Sequence, residues 1–176
     1  MNSTTNQKKV SIALCTFNGE KYIKEQLDSI LNQDYADITE IICLDDLSKD
    51  NTWNILQEYA AKDNRFIIQQ NNKNVGYTKN FENAISLTTN DYIAIADQDD
   101  IWIPQKISFL MRGIGDSLLI YSDNAYVDEN GKSLNKRFSD IRNLGECFSC
   151  LNFCLFNGIS GHTMLFHRTL LQFALP

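Results

Sequence analysis

The chain has 176 residues, 43% of them hydrophobic, 22% charged and 11% aromatic, which is globular composition and excludes a disordered chain. Its length is a prior for one domain, large enough to bury roughly 70% of the surface the unfolded chain exposes. A formal net charge of -6 excludes the basic footprint of a nucleic-acid binder, and an acidic protein that holds a diphosphate needs helix N-termini or a metal ion to do so.

Residues 1–9 are polar and lack the apolar stretch of a signal peptide, so a flexible N-terminus and a cytoplasmic location are expected. No apolar run is long enough to cross a bilayer. Five cysteines, an odd number without an export signal, read as reduced thiols. Residues 10–15 (VSIALC) form a short apolar run closing on Thr16-Phe17-Asn18-Gly19, the pattern of a buried strand entering a turn. Tyr22, Ile23, Leu27, Ile30 and Leu31 then recur at helical spacing over 20–32. Residues 40–44 (EIICL) are a second strand, ending at Asp45-Asp46. Trp53, Leu56, Tyr59 and Ala60 share one face of a helix that starts near Asn51, with Asp50 or Asn51 as its N-cap. A third strand spans 66–69 (FIIQ), and the polar loop from Asn71 to Gly76 leads to a helix with Phe81, Ala84 and Ile85 inward. Residues 92–96 (YIAIA) are a fourth strand, closing on Asp97-Gln98-Asp99-Asp100.

Pro104 suits the first turn of a helix that continues through Ile107 to Ile114. A fifth strand is predicted over 118–122 and a hairpin turn over 127–131. The apolar stretch 146–156 reads as helical, and 161–167 alternates like a strand. Strand and helix alternate four times in the first hundred residues. That order predicts an α/β domain over residues 10–176, with a mostly parallel central sheet and helices on both faces.

In open α/β sheets, ligands bind outside the carboxyl ends of the strands. Thr16-Phe17-Asn18, Asp45-Asp46 and Asp97-Gln98-Asp99 would all lie along that edge. Asp97 and Asp99 are two apart, so in an extended stretch they face one spot and repel each other unless a cation sits between them. Mg2+ and Mn2+ take one or two carboxylates plus phosphate oxygens, so the pair suits a metal-diphosphate site. A lone D-x-D is more often a solvated acidic turn; its place after a buried strand and before Ile101-Trp102 tips the reading toward the metal. Asp45-Asp46 suits a base or ribose contact, a cap for the following helix, or both. Phe17 suits base stacking or the rim of the core. Lys79, Lys106 and Arg168 are candidate phosphate partners, although such charges are more often solvated. His162 and His167 flank the last predicted strand and neither has a visible metal-ligand partner, so His167 reads as core or surface. Cys147, Cys150 and Cys154 fall on one helical face with Phe148 and Leu151; three thiols fall short of the four ligands of structural zinc, so core packing is expected.

Together, VSIALCTFNGEKYIKEQLDSI, IICLDDLSKDNT, NVGYTKNFENAI, IADQDDIW and GISGHTMLFHR resemble the family 2 glycosyltransferases, which have the GT-A fold of nucleotide-diphospho-sugar transferases. Segments of this kind cover most of the chain. DQDDIW and NVGYTKNFENAI look most like the bacterial rhamnosyltransferase-like subgroup that builds surface polysaccharides. The resemblance implies metal-assisted, inverting transfer of a sugar from a nucleotide donor to a saccharide or lipid-linked saccharide acceptor, with Mg2+ or Mn2+ as cofactor and peripheral membrane association left open. It implies that Thr16, Phe17, Asn18 and Glu20 line the nucleotide pocket, with Gln98 beside them, and that one acid of Asp45-Asp46 contacts the base. Lys79 and Asn80 would belong to the loop-helix that covers the nucleotide. Asp97 would face the ribose or sugar and, with Asp99, the metal. Trp102 and Lys106 follow as the family pattern expects, and Gly161 and His162 match the segment that approaches sugar and acceptor.

The family's catalytic base is usually an acid in a later His-Asp or Glu-Asp motif. From Gly158 to Pro176 this chain has no Asp or Glu. The expectation is therefore a complete nucleotide-binding part, a truncated acceptor side and a base beyond Pro176, with His162 the substitute present here. Two other readings compete: a donor-binding remnant without turnover, and a phosphatase whose D-x-D-x-[TV] motif is formally matched at Asp97 to Ile101. The second is disfavoured because that family's nucleophile follows the first strand, whereas three strand-helix units come first here. The P-loop and Rossmann fingerprints are absent.

Overall fold

The structure, a computed structural model, describes residues 8–141, 144 and 159–174. The apolar runs of the sequence become strands: β1 (Val10–Thr16), β2 (Ile38–Asp45), β3 (Phe66–Gln70), β4 (Tyr92–Asp97), β5 (Leu119–Tyr121) and, late in the chain, β8 (Met164–His167). They form one sheet in the order β3-β2-β1-β4-β8-β5. The first four strands are parallel; β8 runs antiparallel to both its neighbours. β1 is buried along its whole length and β2 at all but one position, because helices cover both faces of the central strands. A strand buried on both sides needs apolar residues throughout rather than alternation. β3 at the edge alternates instead.

The parity of β1 divides the core. Val10, Ile12 and Leu14 pack with Ile23, Leu27 and Ile30 of α1 (Ile23–Leu31), Ile55 and Leu56 of α2 (Thr52–Ala60), and Ile107 and Leu110 of α4 (Lys106–Gly113). Ala13 and Cys15 face the other way, onto Phe81, Ala84 and Ile85 of α3 (Tyr77–Leu87). This is the two-residue period of a strand meeting the 3.6-residue period of each helix. Each fully buried Ile or Leu contributes about 1.5–3 kcal/mol. Gly76, at φ 83 and ψ 162, turns the chain into α3 through a conformation that glycine adopts without strain.

Boundaries moved where a turn competes with a helix or strand. The first helix begins at Ile23, because the Gly19 carbonyl accepts from the N–H groups of both Tyr22 and Ile23 and residues 19–22 form a turn. The last strand begins at Met164, Gly161–Thr163 being a 3-10 turn. The N-terminal donors of α2 go to Asp50, whose carboxylate accepts from Thr52 N (3.0 Å) and Thr52 Oγ1 (2.6 Å), while Asn51 makes no side-chain cap. The hairpin of β6 (Ala125–Val127) and β7 (Ser133–Arg137) turns at Gly131, φ 74, with Asp128 accepting from Asn130 N and Lys132 N. The stretch 146–156 and its three cysteines lie outside the described residues. No helix among the described residues is long and apolar enough to cross a membrane.

Candidate functional site

Strand register places the three polar clusters on one edge. Thr16 is opposite Asp45, Asp45 is opposite Gln70, and Cys15 is opposite Asp97. Much of this polar chemistry is spent on stitching loops together. Asp45 is fully buried and accepts from the Thr16 hydroxyl (2.8 Å), the Ser48 N–H (2.9 Å), the Ser48 hydroxyl and the Gln70 amide (2.8 Å). Two carboxylate oxygens offer about four acceptor positions, so Asp45 has none to spare. Asn18, at φ 49, donates its N–H to Ser48 and accepts from Lys49 N. The Glu20 carboxylate accepts from Asn51 N (2.7 Å), and Gly19 N donates to Thr52 (2.8 Å). Asn18, Glu20 and Asp45 thus bind the loop after β1 to the loop after β2.

Asp46 performs the same service for α3. Its Oδ1 accepts from Asn71 Nδ2 and Val75 N, and its Oδ2 from Gly76 N. Asn80 donates to the Leu44 carbonyl (2.9 Å) and accepts from Asn71 (2.8 Å). A carboxylate at a helix N-terminus also suits the helix dipole. The start of α3 is thereby pinned over the carboxyl end of β2.

These loops enclose a cavity of about 500 Å³ lined by Cys15, Thr16, Phe17, Asp46, Asn74, Gly76, Tyr77, Asn80, Phe81, Asp97, Gln98 and Asp99. Seven of these are site residues read from the sequence: Thr16, Phe17, Asp46, Asn80, Asp97, Gln98 and Asp99. Asn18, Glu20, Asp45, Lys79, Gly161 and His162 are not in its lining. Lys79 is exposed and ion-paired with Glu82 one turn on. Tyr77 and Phe81 are the aromatic residues that sequence reasoning left out of the site. Their i, i+4 spacing puts them on one helix face, and the rings meet edge-on at 4.9 Å. Phe17, 43% exposed, is held by Gln98, whose Oε1 accepts from Phe17 N (2.9 Å) and whose Nε2 donates to Phe17 O (3.2 Å). Gly19 makes this possible, since a Cβ there would lie 2.3 Å from Gln98 Oε1.

A charged cluster adjoins the cavity. His162 Nδ1 is 3.2 Å from Asp97 Oδ2 and 3.7 Å from Asp100 Oδ2. The ligand atoms of Asp97, Asp100 and His162 lie within 4.8 Å of one another, a spacing that can hold a metal ion. Asp100 Oδ2 is buried with no hydrogen-bond partner among the described residues. An orphaned carboxylate oxygen is costly and fits a cation as its partner. The grouping differs from the expected Asp97 and Asp99: the strand ends at Asp97 and the chain turns through Gln98 and Asp99. Strand alternation therefore stops there, Asp99 is exposed on the cavity wall, and Asp100 comes round to Asp97. The hydrogen bond to Asp97 lifts the His162 pKa above its ordinary value, and burial raises that of Asp100. Burial also pushes the Lys106 amine down to about 7, against the pull of Asp100 and Asp97. That amine donates to the His162 carbonyl (2.7 Å) and sits 3.9 Å from the Trp102 ring centroid. Arg168 is not a phosphate partner here. It lies at the amino end of β4, donating to Asn90 O and Thr88 Oγ1.

The dTDP-rhamnosyl transferase RfbG of Shigella flexneri is 41% identical over 118 residues, which cover 64% of this chain and 39% of that protein. S. aureus TarS 1-349 in complex with UDP superposes with a TM-score of 0.74 at 23% identity, covering 94% of this chain and 48% of that one. The mannosyltransferase PcManGT from Pyrobaculum calidifontis, in complex with GDP-Man and Mn2+, superposes at 0.69 and 20% identity, covering 97% and 48%. The chain thus spans less than half the length of each, and the two superpositions carry the GT-A fold. The family model for glycosyl transferase family 2 matches residues 11–172, and the chain belongs to that family.

Proposed function

We propose that this chain is the donor-binding part of a glycosyltransferase. It would take a sugar from a nucleoside-diphosphate donor and pass it, with inversion, to a saccharide or lipid-linked saccharide acceptor in surface-polysaccharide synthesis. The observation that carries this reading is the cavity of about 500 Å³ at the carboxyl ends of β1 and β4. It has an aromatic ring at Phe17 and carboxylates at Asp97 and Asp99, in a chain of this family.

Phe17 would stack on the base, with Gln98 holding its backbone. Asp97 would accept from a ribose or sugar hydroxyl. Mg2+ or Mn2+ would be held from Asp97, with Asp99 on the cavity side or Asp100 and His162 behind it, and would neutralise charge on the departing diphosphate. Of the supporting residues, Asp46 fixes the helix over the nucleotide, and Lys106 fixes the backbone of the His162 turn. The acceptor hydroxyl needs a base within hydrogen-bond reach; His162, with Nδ1 on Asp97 and Nε2 3.3 Å from Asn124 Nδ2, is the group this chain offers. A thermal-shift panel of UDP-, GDP- and dTDP-sugars with Mn2+ tests the reading. Ligand at about a hundred times its dissociation constant stabilises by about 2.7 kcal/mol, which raises the melting point of a chain this long by roughly 5–10 °C. If no donor shifts the melting point, the reading is wrong.

A further inference from the structure

Tyr77 is the first residue of α3 and is 65% exposed, yet it lines the cavity. Its ring rests edge-on against Phe81, and its hydroxyl makes no hydrogen bond among the described residues. That hydroxyl lies 4.0 Å from the place a Cβ on Gly161 would occupy, so the side chain reaches from α3 toward the turn that leads into β8. Asp46, which accepts from Val75 and Gly76 N–H, fixes the backbone from which it reaches. A phenol is a neutral hydrogen-bonding group near neutral pH.

The order of strands along the sheet edge gives this residue a subsite. Phe17 follows β1, Asp97 and Asp99 follow β4 and its turn, and Gly161 precedes β8, in the spatial order β1-β4-β8. A donor whose base stacks at Phe17 and whose diphosphate lies at Asp97 and Asp99 directs its sugar to the β8 side, where the Tyr77 hydroxyl lies.

We propose that Tyr77 is a specificity-determining residue that contacts the glycosyl unit of the donor, its ring against a C–H face and its hydroxyl on a sugar hydroxyl. The assignment rests on reading the cavity as the donor site. Nothing in residue type alone marks Tyr77, since an aromatic at the start of a helix is usually packing.

Calorimetric titration of the chain with Mn2+ present tests it, using three pairs of probes: UDP and UDP-glucose, GDP and GDP-mannose, dTDP and dTDP-glucose. For the pair that binds the wild type, Tyr77→Ala should weaken the nucleotide-sugar roughly tenfold and leave the nucleoside diphosphate within about twofold. Tyr77→Phe, which keeps the Phe81 contact, should weaken the nucleotide-sugar roughly fivefold, the worth of one hydrogen bond. Equal weakening of both members of a pair would put Tyr77 on the nucleotide and overturn the assignment, as would no weakening of either. If no pair binds the wild type, the donor-site reading itself fails, and this assignment with it.

Discussion

Asp46→Asn is nearly isosteric, so it changes hydrogen bonding and charge without changing packing. Asp46 is 3% exposed and takes all its hydrogen bonds from N–H groups: Asn71 Nδ2 and Val75 N on one oxygen, Gly76 N on the other. An asparagine must turn its amide nitrogen toward one of these sides, and backbone N–H groups cannot reverse. Whichever way it turns, a charge-assisted bond is lost and two donors face each other. Bonds to charged groups contribute about 1.5–3 kcal/mol and an unsatisfied buried group costs about 1–3 kcal/mol; both describe the same broken contact and overlap rather than add, so the substitution should cost about 2–4 kcal/mol. At about 2–4 °C per kcal/mol for a chain of this size, the melting point should fall by roughly 5–15 °C. Circular dichroism melts of the two proteins without ligand measure it. A fall of less than about 2 °C would mean that the carboxylate does not hold the loop before α3, and that the placement of Tyr77 and Asn80 has another cause.

Gly19→Ala should force the Gln98 carboxamide off Phe17, since the new methyl would sit 2.3 Å from Oε1. Because the obstructing group is the end of a flexible side chain, the melting point should drop by only a few degrees while nucleotide affinity falls; unchanged affinity would count against Gln98 as the support of Phe17. At the opposite end of the sheet, Glu40 is buried, which alone would raise its pKa. Hydrogen bonds from the Thr89 and Ser11 hydroxyls and from Thr89 N and Asn90 N outweigh burial and hold it below the usual carboxylate range. A depressed folded pKa contributes stability that is present above the unfolded value and is lost as pH falls through the folded one. Glu40→Gln should therefore melt below the wild type at about pH 7, with the gap narrowing as pH falls below the ordinary glutamate range; a gap that stays constant as the pH is lowered would refute the linkage.

The parallel core was legible because β1, β2 and β4 are buried on both faces and read as unbroken apolar runs, while the intervening helices show their own period. The edge along which the polar clusters and the cavity lie followed from topology. The roles of individual acids were less legible, because a sequence does not count donors: Asp45 and Asp46 look free in the string IICLDD, but each meets partners from other loops. Which acid stands beside Asp97 was not legible either. Residues i and i+2 share a side only while the backbone stays extended; the chain turns at Gln98 and Asp99, which leaves Asp99 exposed on the cavity wall and brings Asp100 beside Asp97 as well. A lone arginine carries no sign of which end of the sheet it will reach, and Arg168 reaches the amino end of β4. Tyr77 was missed because its exposure depends on Gly76 and on how Asp46 anchors the loop.

The claim most in need of a direct test is that the cavity holds a nucleoside diphosphate together with a cation. Calorimetric titration of the best nucleoside diphosphate, with Mn2+ and again with EDTA, should be run on the wild type, Phe17→Ala and Asp99→Asn. The account predicts one-to-one binding to the wild type with Mn2+. Phe17→Ala should weaken it roughly 5- to 150-fold, the range of one base-stacking contact of about 1–3 kcal/mol, and both EDTA and Asp99→Asn should weaken it without lowering the melting point of the ligand-free protein. One-to-one binding indifferent to Phe17→Ala, to Asp99→Asn and to EDTA would place the nucleotide elsewhere and contradict the account.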